Sequence, residues 1–398
     1  MKIHDPKSVG FDPHRLKRID VLMQRYVDAG TLPGFVTLVA RHGKIAYLNT
    51  CGLMDRESNR PYQPDTIVRI YSMTKPITSV ALLMLYEQGF FNLLDPISAV
   101  LPEFAEMQVY EDGELVSART PITFQHLLTH TAGLSYGDYG GRNSSEVDKF
   151  YDEVNPFDMG RSLEENIKAL AQLPLRFHPG TQWHYSIATD VIGRLVEVIS
   201  GQSLGRFIDE QICQPLEMVD TAFHIDPAKV DRFATLYQVT PDNPLALFDL
   251  PDTSDYLPPV DTHFGGQGLV STIHDYYRFA TCLLNKGTLE GTRILGRKTV
   301  ERMRMNHLSS ALLPIAFEFS EPFYGMGFGL GVNSMIDVTQ SGLMGSNGDH
   351  GWGGYAETVF WIDPEEDLIA INLTQCMPSS YYPIRKEFRT AVYQALVD

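Results

Sequence analysis

The sequence is poor in cysteine, and its four cysteines lie far apart in the chain. Cys51, Cys213, Cys282 and Cys376 include no close pair, so they match neither a disulfide framework nor the ligand spacing of a zinc site. We expect them to be small buried side chains of a protein in a reducing compartment.

Basic residues are also in short supply, with 32 lysines and arginines against 49 aspartates and glutamates. The formal net charge of −17 disfavours a surface for nucleic acid or for an anionic membrane, because both partners attract positive charge. We therefore expect no nucleic-acid partner and no membrane partner, and we interpret the acidity as a source of solubility.

Long uncharged apolar runs are missing as well. No stretch approaches the length of a transmembrane helix, and residues 1–6 lack the apolar core of a signal peptide. These absences predict a soluble cytoplasmic protein, or a periplasmic one if an export signal once preceded Met1. The oligomeric state stays open.

Apolar residues are plentiful, at 43% of the 398 residues, which is ample for a packed core. Strand-like runs occur near both ends of the chain, and helix-like segments with many turn residues fill the middle. This order predicts one sheet that is split in sequence and carries an inserted helical region. We place an α/β domain at 1–94 and 265–398, and a mostly helical domain at 95–264. Residues 137–160 have little periodicity and are interpreted as a long loop over a site.

The stretch Ser72-Met73-Thr74-Lys75-Pro76 leads into an apolar run that is typical of a buried helix. Pro76 is best tolerated in a first helical turn, so the helix is predicted to begin close to Ser72. The serine then lies at the positive end of a helix dipole, beside N–H groups that can stabilise an oxyanion. Lys75 lies on the same face and can reach the hydroxyl. A buried lysine can take the serine proton, although a capping serine followed by a surface lysine would have the same letters.

Two further segments carry candidate chemistry. Tyr185 lies in a loop just before the amphipathic run 187–199, where its phenol can relay a proton or simply pack at a domain boundary. The stretch His350-Gly351-Trp352-Gly353-Gly354-Tyr355 precedes a strong strand. Its glycines permit close approach of a ligand to the backbone, and a following N–H can be a second oxyanion donor. A plain turn before an edge strand is the alternative.

Two patterns are interpreted as structural. Gly201-Gln202-Ser203-Leu204-Gly205 matches the nucleophile elbow of α/β-hydrolases, but a helix precedes it where the elbow needs a buried strand. Gly201 therefore resembles a helix C-cap. His126 and His130 have a spacing that can bind zinc on a helix, but Leu127 stands where the metalloprotease motif has glutamate. We predict no metal site and no cofactor.

Taken together, the segments resemble the superfamily of serine β-lactamases and penicillin-binding proteins, most closely the class C-like carboxylesterases called family VIII esterases. The likeness covers nearly the whole chain. Ser72 to Lys75 resembles the S-x-x-K motif, Tyr185 falls where class C enzymes have Y-x-N, and Trp352-Gly353-Gly354 falls where β-lactamases have K-T-G. Residues 122–134 and 266–272 resemble two further family segments.

The resemblance implies an α+β fold of the β-lactamase/transpeptidase type, in which an antiparallel sheet flanked by helices carries a mostly helical domain and the site lies in the cleft between them. It implies that Ser72 is the acyl-forming nucleophile and that Lys75 and Tyr185 relay protons. The N–H groups of Ser72 and Tyr355 would form the oxyanion hole. Trp352, Gly353, Gly354 and Ile187 would contact the substrate.

Two departures from the family pattern favour esters over β-lactams. Ile187 replaces an asparagine that would bind the lactam amide, and Trp352 replaces a lysine that helps to hold its carboxylate. The expected activity is hydrolysis of short-chain carboxylic esters, the small-molecule partner, through acyl-Ser72. The alternatives are acyl transfer to an alcohol, as in the statin side-chain transferases of this fold, β-lactamase or D,D-peptidase activity, and a catalytically silent binding module.

Overall fold

The computed structural model describes residues 1–138, 145–257, 262–317 and 320–398. The α-helices within these ranges are α1 (Pro13–Leu16), α2 (Arg18–Asp28), α3 (Thr74–Glu87), α4 (Phe124–Leu128), α5 (Glu146–Val154), α6 (Leu163–Leu170), α7 (Ala188–Ser200), α8 (Leu204–Ile208), α9 (Ile273–Leu284), α10 (Arg297–Met303), α11 (Val338–Ser341) and α12 (Ile384–Tyr393). The strands are β1 (Gly34–Arg41), β2 (Lys44–Asp55), β3 (Arg60–Pro61), β4 (Val68–Arg69), β5 (Gln108–Glu111), β6 (Glu114–Ser117), β7 (Leu236–Gln238), β8 (Ala246–Asp249), β9 (Val270–Ser271), β10 (Thr288–Leu289), β11 (Thr292–Arg293), β12 (Met326–Phe328), β13 (Asn333–Met335), β14 (His350–Gly353), β15 (Val359–Asp363), β16 (Leu368–Leu373) and β17 (Cys376–Met377).

Strands from both ends of the chain form one antiparallel sheet. Its order is β12-β13-β14-β15-β16-β1-β2-β3, so β1 pairs with β16 on one side and with β2 on the other. The hairpin between β1 and β2 turns at His42 and Gly43, which both have positive φ and thus match the type I′ geometry of tight hairpins. The sheet that was expected to be split in sequence is confirmed.

Side chains along each strand alternate between the two faces of the sheet. Each face packs against its own cluster of buried side chains. Val36 and Leu38 of β1 join the large core cluster that includes α3 and α9. Phe35 and Val39 point the other way, into a second cluster with α2 and α12. The expected α+β class, with an antiparallel sheet flanked by helices, is therefore confirmed.

The middle of the chain contributes mostly helices and short strands, α4 to α8 and β5 to β8. The buried helix α3 packs against α7 of this region, and both belong to the same core cluster. The helical region thus lies directly on the helix that follows Ser72. The domain boundaries at 94/95 and 264/265 stay predictions.

One sequence-based expectation is wrong in part. Residues 137–160 were interpreted as a long loop, but α5 occupies Glu146–Val154 within them. The helix begins with a capping box in which Ser145 and Asp148 bond each other's backbone N–H, and it buries Val147 and Tyr151 one turn apart. Residues 139–144 lie outside the described residues. Across the described part of the chain, no helix combines the length and the apolar character that a bilayer span requires.

Candidate active site

Ser72 lies in a 3₁₀ turn, Tyr71–Met73, immediately before α3 begins at Thr74. Pro76 is in the first turn of α3, where a missing N–H leaves no partner unsatisfied, as the sequence predicted. Tyr71 has a φ of 44°, a left-handed conformation that is uncommon for a residue with a side chain. Such strain is typical of functional sites, and here it stands next to the half-buried serine.

The backbone around the serine is anchored on both sides. Strand β4 pairs with β9, and the Ile70 N–H donates to the carbonyl of Leu269 at 3.1 Å. The phenol of Tyr276 donates to the carbonyl of Met73 at 2.8 Å. These bonds hold the strained turn in place, so the position of the Ser72 hydroxyl is set by the core rather than by a mobile loop.

The side-chain nitrogen of Lys75 contacts the serine. Its Nζ lies 3.2 Å from Ser72 Oγ and donates to the carbonyl of Gly266 at 2.7 Å. Lys75 is only 1% exposed. A nitrogen at this distance can accept the proton that Ser72 must lose before it attacks a carbonyl carbon.

A buried carboxylate supports this lysine. Asp190, in the first turn of α7, accepts from the N–H of Gly266 at 2.9 Å, and the carbonyl of the same residue accepts from Lys75. Burial raises the pKa of Asp190 to about 6, although the charge of Lys75 opposes the rise. Gly266 must be glycine, because a Cβ there would lie 2.5 Å from Asp190 Oδ2. Asp190 was not among the residues predicted from sequence, and its signal there is a carboxylate in the apolar run of α7.

Tyr185 lies beside the same lysine. The Nζ of Lys75 is 4.7 Å from the centre of the Tyr185 ring and 5.3 Å from that of Tyr136, which the sequence analysis did not single out. The Tyr185 hydroxyl accepts from Trp352 Nε1 at 3.4 Å. The structure thus brings Ser72, Lys75, Tyr185 and Trp352 together from three separate parts of the chain.

His130 contacts the segment that carries Tyr185 and has a structural role there. Its carbonyl accepts from the N–H of His184 at 2.9 Å, its Nδ1 lies 3.3 Å from the backbone nitrogen of Ser186, and its ring contacts Tyr185 at 4.8 Å between centres. Burial lowers the pKa of His130 well below its ordinary value, so the ring is neutral. His126 instead completes a capping box with Thr123. Within the described ranges, no cluster of three or more His, Cys, Asp or Glu side chains could hold a metal ion.

The glycines after Trp352 bring the end of β14 close to the nucleophile. A Cβ at Gly354 would lie 2.3 Å from the carbonyl oxygen of Ile70, two residues before Ser72. The ring of Tyr355, the next residue, meets that of Tyr71 edge to face at 6.2 Å. The backbone of Tyr355 therefore lies next to the turn that carries the serine, which suits a second oxyanion donor. That role stays a prediction.

Aromatic rings line the side of the site around Tyr185. Trp352 is 8% exposed and contacts Tyr185 at 5.5 Å and Phe328 at 5.2 Å between ring centres. Phe317 contacts Tyr185 at 5.2 Å and Trp183 at 5.8 Å. Such an aromatic wall offers apolar area to a neutral ligand.

The remaining predicted positions are placed as follows. Ile187 is fully buried in the large core cluster at the start of α7, and its contact with a substrate stays a prediction. Ser203 is the N-cap of α8, where it accepts from the N–H of Arg206 at 3.3 Å. Gly201 ends α7 with a φ of 71°, as a C-cap does. The hydrolase-like GxSxG pattern is therefore a helix-to-helix turn.

Comparison with known proteins gives consistent results. The Beta-lactamase family model matches residues 19–394. The chain is 36% identical to Protein Rv1367c of Mycobacterium tuberculosis over 360 residues, 88% of each chain. It is 31% identical to Esterase EstB of Burkholderia gladioli over 411 residues, 98% of each chain. A solved structure described as EstCE1, a hydrolase with promiscuous acyltransferase activity, superposes with a TM-score of 0.81 at 30% identity, covering 96% of this chain and 99% of that one.

Proposed function

The chain belongs to the Beta-lactamase family, and we propose that it is a serine esterase that hydrolyses short-chain carboxylic esters through an acyl-enzyme on Ser72. The observation that carries the proposal is the 3.2 Å contact between Lys75 Nζ and Ser72 Oγ at the start of a buried helix. The names of two relatives, Esterase EstB and the hydrolase EstCE1, support an ester as substrate.

The proposed reaction has two halves. Ser72 Oγ attacks the ester carbonyl carbon while Lys75 takes the hydroxyl proton, and the carbonyl oxygen becomes an oxyanion held by the N–H groups of Ser72 and Tyr355. The tetrahedral intermediate collapses, the C–O bond to the alcohol breaks, and Tyr185 or Lys75 protonates the leaving oxygen. Water then attacks the acyl carbonyl carbon while Lys75 or Tyr185 takes its proton. The bond between that carbon and Ser72 Oγ breaks, the proton passes to Oγ, and the acid leaves.

The aromatic wall favours a neutral ester over a β-lactam. A β-lactam antibiotic carries a carboxylate, and Trp352 stands where β-lactamases have a lysine that helps to hold that group. The indole offers apolar contact area instead and donates its one N–H to Tyr185. Ground-state affinity for an anionic ligand should therefore be weak.

We expect kcat/KM for p-nitrophenyl acetate and butyrate to exceed kcat/KM for a chromogenic cephalosporin by at least about 100-fold. The measurement is a paired rate assay on one enzyme preparation. Reaction of both substrates at similar rates would mean that Trp352 and Ile187 do not exclude the lactam, and β-lactamase activity would replace the ester proposal.

Acyl transfer to an alcohol is the second candidate, and the aromatic wall supports it. An alcohol with an apolar group can stack on the rings near Tyr185 and compete with water for the acyl-enzyme, because the site offers such an acceptor more contact area than it offers water. The product ratio of ester to acid, measured with increasing concentrations of an added alcohol, separates transfer from hydrolysis.

Asp190→Asn is expected to make the protein more stable and less active, which is the signature of a residue kept for function. The pKa of Asp190 is raised from 3.8 to about 6 by burial, so the folded state disfavours the carboxylate by about 3 kcal/mol once it is ionised. This destabilisation is absent below 3.8, the pKa of Asp190 in the unfolded chain. It grows as pH rises from there to the folded pKa of about 6, and it is complete above that pH.

The variant should therefore unfold at a higher temperature than the wild type at pH 8, and the difference should vanish near pH 4. Its kcat should fall by roughly tenfold, because an ionised Asp190 stabilises the Lys75 ammonium that forms when the serine proton is taken. Thermal unfolding at both pH values and ester kinetics check the two effects. An unchanged kcat would assign Asp190 to packing alone.

A further inference from the structure

An arginine near the end of the chain donates hydrogen bonds to the turn that follows β14. Arg385, in the first turn of α12, donates from Nη2 to the carbonyl of Gly354 at 2.6 Å and to that of Thr358 at 3.0 Å. These two carbonyls stand at the two ends of the turn that contains Tyr355. One rigid, planar guanidinium thus fixes both ends relative to each other.

A glutamate inside the turn forms an ion pair with the same arginine. Glu357 has a φ of 67°, and its carboxylate lies 2.7 Å from Arg385 Nε. Its second oxygen accepts from the N–H of Ser380 at 2.5 Å. The Glu357 side chain is only 2% exposed, and burial raises its pKa above the ordinary value. A buried carboxylate on a left-handed residue needs such partners, so the turn depends on Arg385 for its shape.

The neighbouring glycines show how close the turn lies to its supports. A Cβ at Gly353 would lie 2.6 Å from Arg385 Nη1, and one at Gly354 would lie 2.3 Å from the carbonyl oxygen of Ile70. The backbone between them is therefore in contact with the guanidinium on one side and with the strand that leads to Ser72 on the other. A change at Arg385 should be transmitted to the Tyr355 N–H through these few bonds.

We propose that Arg385, paired with Glu357, is a positioning residue for the oxyanion hole. Arg385 holds the Tyr355 N–H at a fixed place beside Ser72. The inference rests on the proposed function. Arg385 acts through the backbone and reaches no reacting atom. Because an oxyanion exists only in the tetrahedral state, a loosened donor should lower kcat while it leaves substrate binding nearly unchanged.

The test is Arg385→Met, assayed with p-nitrophenyl butyrate after the concentration of active sites has been measured by complete labelling with a fluorophosphonate. We expect kcat per labelled site to fall roughly 10- to 100-fold, less than the loss of a whole oxyanion donor, with KM within about threefold of wild type. A boronic acid, which adds reversibly to the serine as a tetrahedral adduct, should lose affinity by a similar factor. Arg385→Lys, which can reach one carbonyl but cannot bridge two, should lie between.

Arg389→Met is the matched control. Arg389 lies one turn further along α12 and pairs with the buried Asp349 instead of the turn. Both variants should lose thermal stability, but only Arg385→Met should lose kcat per labelled site. Unchanged kcat and unchanged boronate affinity in Arg385→Met would overturn the inference and leave Arg385 a structural role. A wild type that neither cleaves the ester nor takes the label would instead overturn the proposed function, and this inference with it.

Discussion

Ser72→Ala is expected to lower kcat for ester hydrolysis by at least about 10⁴-fold, because no acyl-enzyme can form without the hydroxyl. The alanine adds no volume at the strained turn, and the anchoring bonds at Ile70 and Met73 involve backbone atoms that it keeps. The variant should therefore fold as the wild type does. Steady-state kinetics together with thermal unfolding separate the loss of chemistry from loss of structure.

Ser203, the serine of the GxSxG pattern, supplies the control. Ser203→Ala removes the N-cap of α8 and should reduce the free energy of unfolding by about 1 kcal/mol, with ester hydrolysis retained. The two variants change the same chemical group at two places. If activity survived in Ser72→Ala and disappeared in Ser203→Ala, the nucleophile would be Ser203 and the site described here would be wrong.

Lys75→Ala is expected to lower kcat by about 10³-fold, within the range that a general base contributes. It removes the group 3.2 Å from the Ser72 hydroxyl and leaves a buried space beside the Gly266 carbonyl. Small primary amines added to the assay should enter this space and restore part of the rate. Since only the uncharged amine accepts a proton, the restored rate should increase with pH until the amine is fully deprotonated.

Tetramethylammonium is the control for the rescue, because it has the charge of an ammonium ion but cannot accept a proton. We expect it to give no recovery. Equal recovery with the primary amine and with tetramethylammonium would mean that Lys75 contributes charge rather than proton transfer. The base would then have to be sought at Tyr185.

The sequence predicts the parts of the site that depend on local rules. Pro76 and the apolar run after it predict a helix start close to Ser72, and the spacing of Lys75 puts its side-chain nitrogen within reach of the hydroxyl. The sheet follows from strand-like runs at both ends of the chain and from the His42-Gly43 turn. In each case the signal lies in a few neighbouring residues, even though the pairing of β1 with β16 joins the two ends of the chain.

The parts that escaped prediction depend on contacts between distant residues. Asp190 matters because Gly266, 76 positions away, donates its N–H to that carboxylate and presents its own carbonyl to Lys75. Arg385 matters because it contacts Gly354, 31 positions earlier and separated from it by three strands, a contact that no local pattern contains. Helix α5 was missed for another reason: its capping box at Ser145 and Asp148 is a local signal, but the polar residues around it resembled a loop.

The central claim is that an ester acylates Ser72, and trapping that intermediate tests it most directly. The enzyme is mixed with p-nitrophenyl butyrate, quenched in acid during turnover, and analysed by intact mass and peptide mapping. The account predicts one butyryl group per chain, on the peptide that contains Ser72, with a decay rate that matches turnover. Acylation of any other residue, or turnover without an acylated chain even when release is made slow by low temperature, would contradict it.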